Sequence, residues 1–99
     1  MNLKMNKSLS TGSTIGILGG GQLGQMLSIA AARLGFKTHI FEPSANPPAS
    51  FVASKFTQAE YDDYEALKKF SSDVDVVTYE FENIPTRALN VVEEQCEIF

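Results

Sequence analysis

Three short stretches of this 99-residue chain hold residue types whose spacing can recognise a nucleotide-like ligand. Gly19-Gly20-Gly21-Gln22-Leu23-Gly24 satisfies G-x-G-x-x-G. Glycines there permit positive φ in a tight turn and remove the Cβ atoms that would hold a ligand off the backbone, while the N–H groups of a helix start attract an anion. The alternative is that the glycines only let a strand and a helix pack closely. The second stretch is Tyr79-Glu80-Phe81-Glu82-Asn83. If the chain stays extended, Glu80 and Glu82 fall on one side, where carboxylates accept hydrogen bonds from amine or hydroxyl donors and discourage a phosphate beside them. Glu82 and Asn83 can equally face solvent and open the next helix. The third is Glu42, eighteen residues beyond Gly24, either an acid for the ribose 2′-hydroxyl of a dinucleotide or an exposed acid before Pro43.

Other reactive types carry less. His39 lies within Lys37-Thr38-His39-Ile40-Phe41 with no acid or nucleophile beside it, and reads as a packed or edge histidine. Cys96 reads as a core residue. One cysteine and one histidine leave no zinc set, and no metal-binding residues are assigned.

The elements that must position these groups alternate. Thr14-Ile15-Gly16-Ile17-Leu18 is a short apolar run suited to a strand buried on both faces. From Gln22 the period becomes helical: Leu23, Met26, Leu27, Ala30, Ala31 and Leu34 form one stripe, and Gly35 stands where a left-handed C-cap glycine belongs. Lys37 to Phe41 predicts a second strand, Pro47 to Ser54 a short helix entered at proline, and Phe56-Thr57 a weak third strand. Asp62-Asp63 can cap a helix carrying Leu67 and Phe70, with Asp62 and Glu65 at capping-box spacing. Asp75 to Tyr79 predicts a fourth strand, Asn83 to Thr86 a helix start with Ala88, Leu89 and Val92 inward, and Cys96 to Phe99 the opening of a fifth strand. Strands alternating with helices of this length imply a parallel sheet with right-handed crossovers: an α/β, Rossmann-like fold with helices on both faces, truncated at its fifth strand. The apolar ending suggests a fragment.

Composition narrows the function classes. The chain is 43% hydrophobic and 20% charged, an ordinary globular balance that leaves room for one domain. Residues 1–41 carry Lys4, Lys7, Arg33 and Lys37 and no acid, whereas the remainder is strongly acidic, giving a net charge of −4 that argues against a nucleic-acid partner. No apolar run approaches the ~20 residues of a membrane helix, so no membrane role is expected. Residues 1–13 read as a flexible polar leader without a secretory h-region, and the lone cysteine suits a reducing, cytoplasmic setting.

Taken together, Ile15 to Leu27 (IGILGGGQLGQML), Ala30 to Gly35 (AAARLG), Tyr61-Asp62-Asp63 and Val76 to Pro85 (VVTYEFENIP) resemble the 5-(carboxyamino)imidazole ribonucleotide synthases, the ATPase subunits of phosphoribosylaminoimidazole carboxylase. The likeness runs from about Thr14 to the C-terminus, and GGGQLG paired with TYEFEN is far more specific than a bare glycine motif.

That resemblance implies an ATP-grasp ligase of purine biosynthesis whose preATP-grasp domain is residues 14–99, incomplete at its C-terminus, with the ATP-grasp domains absent from this chain. Such enzymes use ATP and Mg2+, bound by the later domains, to activate bicarbonate and carboxylate the amine of 5-aminoimidazole ribonucleotide. The family likeness implies a homodimer and a ribonucleotide site drawing on Gln22, Leu23 and Glu80; the reading of the residues themselves adds Gly20 and Gly21 of the loop and, as a second tier, Glu42, Glu82 and Asn83. No catalytic residue is expected in the fragment, which is expected to be inactive alone. Many members have arginine where this chain has Gln25, which puts any charge-based role there in doubt. The competing expectation is an NAD-binding Rossmann domain of a dehydrogenase or regulatory module, motivated by the glycine motif plus Glu42.

Overall fold

A computed structural model describes residues 10–79 and 84–98. Four strands, β1 (Thr14–Leu18), β2 (Lys37–Glu42), β3 (Lys55–Gln58) and β4 (Val76–Tyr79), form one sheet in the order β3-β2-β1-β4, all pairs parallel. Helix α1 (Gln22–Arg33) links β1 to β2, a 3-10 turn at Pro48–Phe51 lies between β2 and β3, and α2 (Tyr64–Ser72) links β3 to β4. Helix α3 (Thr86–Glu93) follows β4. The expected fifth strand is represented by a single parallel bridge, Val77 to Ile98, with the Val77 N–H donating to the Glu97 carbonyl at 2.9 Å.

Alternation along the strands divides the core. Leu18, Phe41 and Val77 point to one face and meet Leu67 and Phe70 of α2 and Ala88 and Val92 of α3. Ile17 and Ile40 point to the other and meet Ala49 of the 3-10 turn. The first face is aromatic: Phe70 stacks edge-on against both Phe41 and His39. Gly16 makes this possible, since a Cβ there would lie 2.8 Å from the Phe70 ring. His39 is a buried core residue, its Nε2 2.6 Å from the Thr57 hydroxyl, as the sequence reading favours. Burial lowers its pKa from 6.5 to about 4, the nearby Lys55 ammonium adding to the effect and Asp73 opposing it.

Helix α1 turns its small residues inward. Gly24, Ser28 and Ala31 are buried, whereas Met26 is 64% and Leu34 70% exposed. The apolar stripe read from the sequence is therefore offset from the buried face, because small residues let the helix settle closely and leave its larger side chains outside. Its end is as expected: Gly35 has φ of 88°, its N–H reaches the Ala32 carbonyl and the Phe36 N–H reaches Ala31, the paired bonds of a Schellman motif. Helix α2 is capped by Asp63, whose side chain accepts from the Ala66 N–H at 3.1 Å. The cap thus falls one residue after the Asp62 of the expected box, because helical geometry begins at Tyr64. The chain is tied to the body before β1, with the Gly12 N–H donating to the Gly35 carbonyl at 2.8 Å; residues 1–9 of the expected leader lie outside the described residues.

Candidate ligand-binding site

The strand order places the topological switch point between β1 and β4. From β1 the chain winds outward to β2 and β3 and then returns to the opposite side of β1 for β4. In open parallel sheets ligands bind in the crevice outside the carboxyl ends of strands that diverge in this way. Leu18 and Tyr79, the last residues of β1 and β4, are register partners. The glycine loop therefore leaves the sheet at the same level as the segment after Tyr79. Glu80, Glu82 and Asn83 lie outside the described residues.

Backbone conformation explains the loop's composition. Gly19 has φ of 112°, strained for any residue with a side chain, and its N–H donates to the Phe41 carbonyl at 2.8 Å, extending the β1–β2 pairing by one step. Gly20 is buried against the chain that follows β2: an added Cβ would sit 2.9 Å from Pro47 and 3.1 Å from the Glu42 side chain. Its N–H donates to Glu42 Oε1 at 2.8 Å and its carbonyl accepts from the Ala49 N–H at 2.9 Å. Gly21 is the N-cap of α1, with no side-chain cap and no acid in the first turn. The N–H groups of Gly21, Gln22 and Leu23 have no hydrogen-bond partner among the described residues. The Gln22 and Leu23 side chains are exposed at the helix start.

Of the residues singled out from the sequence, the structure thus brings Gly21, Gln22 and Leu23 to an open, uncapped helix start, while both backbone groups of Gly20 are bonded within the protein. Glu42 is half-buried at the end of β2, bonded to the loop and to the turn that follows. Its Oε2 accepts from the Ser44 N–H at 3.1 Å and the Ser44 hydroxyl at 2.7 Å, so both carboxylate oxygens have partners inside the chain. Pro47 packs against Gly20 on the β2 side of the loop. Ser44, Pro47 and Ala49, which hold the loop, were missed in the sequence. Their only signal was the proline-bounded stretch after β2.

Among the described residues no group of three or more His, Cys, Asp or Glu side chains could hold a metal ion, and no helix is long and apolar enough to cross a membrane. Cys96 is half-buried, and burial pushes its thiol up to about 11, with the carboxylates of Glu97 and Asp75 adding to the shift. It is protonated at neutral pH and a poor nucleophile.

A parallel sheet flanked by helices, with a glycine loop at its switch point, defines the Rossmann-like α/β class of domain. Sequence comparison is more specific: residues 12–99 match the ribonucleotide synthetase preATP-grasp domain family, and the chain belongs to it. It is 55% identical over 91 residues to the bifunctional purine synthesis protein purC/E of Dictyostelium discoideum, covering 92% of this chain and 9% of that protein. It is 54% identical over 87 residues to the N5-carboxyaminoimidazole ribonucleotide synthase of Brucella melitensis, covering 88% of this chain and 24% of the relative.

Among solved structures, the Staphylococcus aureus N5-carboxyaminoimidazole synthetase in complex with ADP superposes with a TM-score of 0.85 at 46% identity, over 91% of this chain and 24% of that one. The Aspergillus clavatus synthase in complex with ADP and 5-aminoimidazole ribonucleotide gives 0.77 at 32% identity, over 89% and 24%. The chain spans about a quarter or less of the length of these relatives.

Proposed function

We propose that this chain is the ribonucleotide-binding N-terminal domain of an ATP-dependent ligase that carboxylates 5-aminoimidazole ribonucleotide with bicarbonate in purine biosynthesis. The observation that carries the reading is the open amide set of Gly21, Gln22 and Leu23 at the β1–β4 switch point, in a chain of the preATP-grasp family. In this role the free N–H groups receive the sugar-phosphate portion of the ribonucleotide, because a helix start favours an anion. Gln22 adds an amide that can donate or accept, and Glu80, which follows the last residue of β4, accepts from ribonucleotide hydroxyl or amine groups. Glu82 and Asn83 form a second tier on the same segment. The domain binds and orients; it has no residue assigned to bond making.

In this reading ATP and Mg2+ serve the whole ligase, of whose relatives this chain spans about a quarter or less. When bound, they would supply the activation of bicarbonate. ADP complexes of the related synthases support nucleotide use, and the 5-aminoimidazole ribonucleotide complex supports the substrate. The proposal includes a cytoplasmic setting and, for the full-length enzyme, a homodimer. Gln22→Ala and Glu80→Ala in the full-length enzyme are expected each to raise KM for 5-aminoimidazole ribonucleotide about tenfold, the loss of one hydrogen bond to a charged or polar ligand group. An unchanged KM in both, or a thermal shift given by NAD and not by the ribonucleotide, would refute the assignment.

A further inference from the structure

We infer that Glu42 is a positioning residue for the ligand loop and, together with Ser44 and Pro47, sets its preference for a mononucleotide over a dinucleotide. The inference rests on the ribonucleotide site proposed above.

The geometry is a brace built from three directions. From β2, Glu42 Oε1 takes the Gly20 N–H at 2.8 Å. From the turn after β2, the Ser44 N–H and hydroxyl hold Oε2 at 3.1 and 2.7 Å, fixing the carboxylate plane. From the 3-10 turn, the Ala49 N–H holds the Gly20 carbonyl at 2.9 Å, and Pro47 closes over the Gly20 Cα. Both polar groups of one peptide residue are therefore restrained by separate parts of the chain. The peptide planes on either side of Gly20 are thereby restrained, and the second of them carries the Gly21 N–H.

Hydrogen bonds to a carboxylate are stronger than neutral ones, so this brace holds a loop that would otherwise be the most adaptable part of the sheet's edge. Pre-ordering of this kind lowers the entropy lost when a ligand binds. The same contacts give selectivity. A dinucleotide site of this topology needs an acid at the end of the second strand free to receive ribose hydroxyls. Here that acid is turned onto the protein's own backbone and Pro47 packs against Gly20, so the β2 side of the glycine loop is filled.

The test compares Glu42→Ala, Glu42→Gln, Ser44→Ala and Gln22→Ala in the full-length enzyme carrying this domain, with 5-aminoimidazole ribonucleotide varied. Removing one charge-assisted hydrogen bond predicts that Glu42→Ala raises KM about tenfold with kcat within about twofold. Glu42→Gln, which keeps an oxygen for the Gly20 N–H, and Ser44→Ala are expected to raise KM by about two- to fivefold. Hydrogen exchange in the same variants supplies the second measurement: the Gly20 amide exchanges faster while Ile17 and Ile40 keep their protection. Unaltered Gly20 exchange in Glu42→Ala overturns the brace. So does a parental KM in Glu42→Ala when Gln22→Ala raises it, an outcome that leaves the site itself standing. If neither variant moves KM, the site reading falls and the inference with it.

Discussion

Helices α1 and α2 begin at the same edge of the sheet and cover opposite faces, yet they are built on different plans. Helix α2 opens with a side-chain cap, Asp63 to the Ala66 N–H, and plants Leu67 and Phe70 in the larger core cluster. Helix α1 opens on Gly21 with no side-chain cap, lies on the sheet through Gly24, Ser28 and Ala31, and leaves Met26 and Leu34 exposed. One helix start carries a side-chain cap; the other has none and is the start proposed to meet the ligand. The difference teaches that apolar packing is concentrated on the α2 face, whereas the loop proposed for recognition lies at the start of α1.

Substitutions on the two faces should separate accordingly. Phe70→Ala removes a ring that touches Phe41 and His39, and a loss of about 3–5 kcal/mol is expected in urea unfolding, a large part of the stability of a domain this size. Leu34→Ser on α1, where the side chain is 70% exposed, should stay within about 0.5 kcal/mol. Comparable losses from the two would break the comparison.

The next effect is pH-dependent and also belongs to the α2 face. His39 binds a proton near pH 6.5 when unfolded and only near about 4 when folded, so between those values the unfolded chain holds more protons. Stability is therefore fully present above pH 6.5 and declines as pH falls towards 4, by on the order of 3 kcal/mol. Lys55 and Asp73 face the same ring. Asp73, held below its usual range by its hydrogen bond from Lys55, loses its contribution only at still lower pH. Urea midpoints measured from pH 7 to 4 check this; His39→Gln should flatten the slope in that window. The smallest effect sharpens the contrast between helix starts: Asp63→Ala should cost about 1 kcal/mol by thermal unfolding without altering KM for the ribonucleotide.

Much of this was legible in the residues. The strands at Thr14–Leu18 and Lys37–Glu42, the helix from Gln22 and its stop at Gly35 follow from apolar period and glycine placement, which act over a few neighbours. Glu42 was less legible. Its spacing from Gly24 suits a ribose acid, but its partners depend on the chain returning through Ser44, Pro47 and Ala49 to the glycine loop. The direction of the α1 stripe was hidden for a related reason: period shows that one side is apolar, and only packing decides whether small or large residues meet the sheet.

The sequence by itself determined the alternation of strand and helix, the glycine loop with its left-handed Gly19, and family membership, because these depend on local backbone preferences and on motifs carried in order along the chain. Only the tertiary structure decided that Glu42 bonds the Gly20 N–H, that His39 packs in the core and not at an edge, and that β4 returns beside β1. Each of those depends on contacts between segments distant along the chain, where burial and hydrogen-bond geometry choose among partners that residue type leaves equivalent.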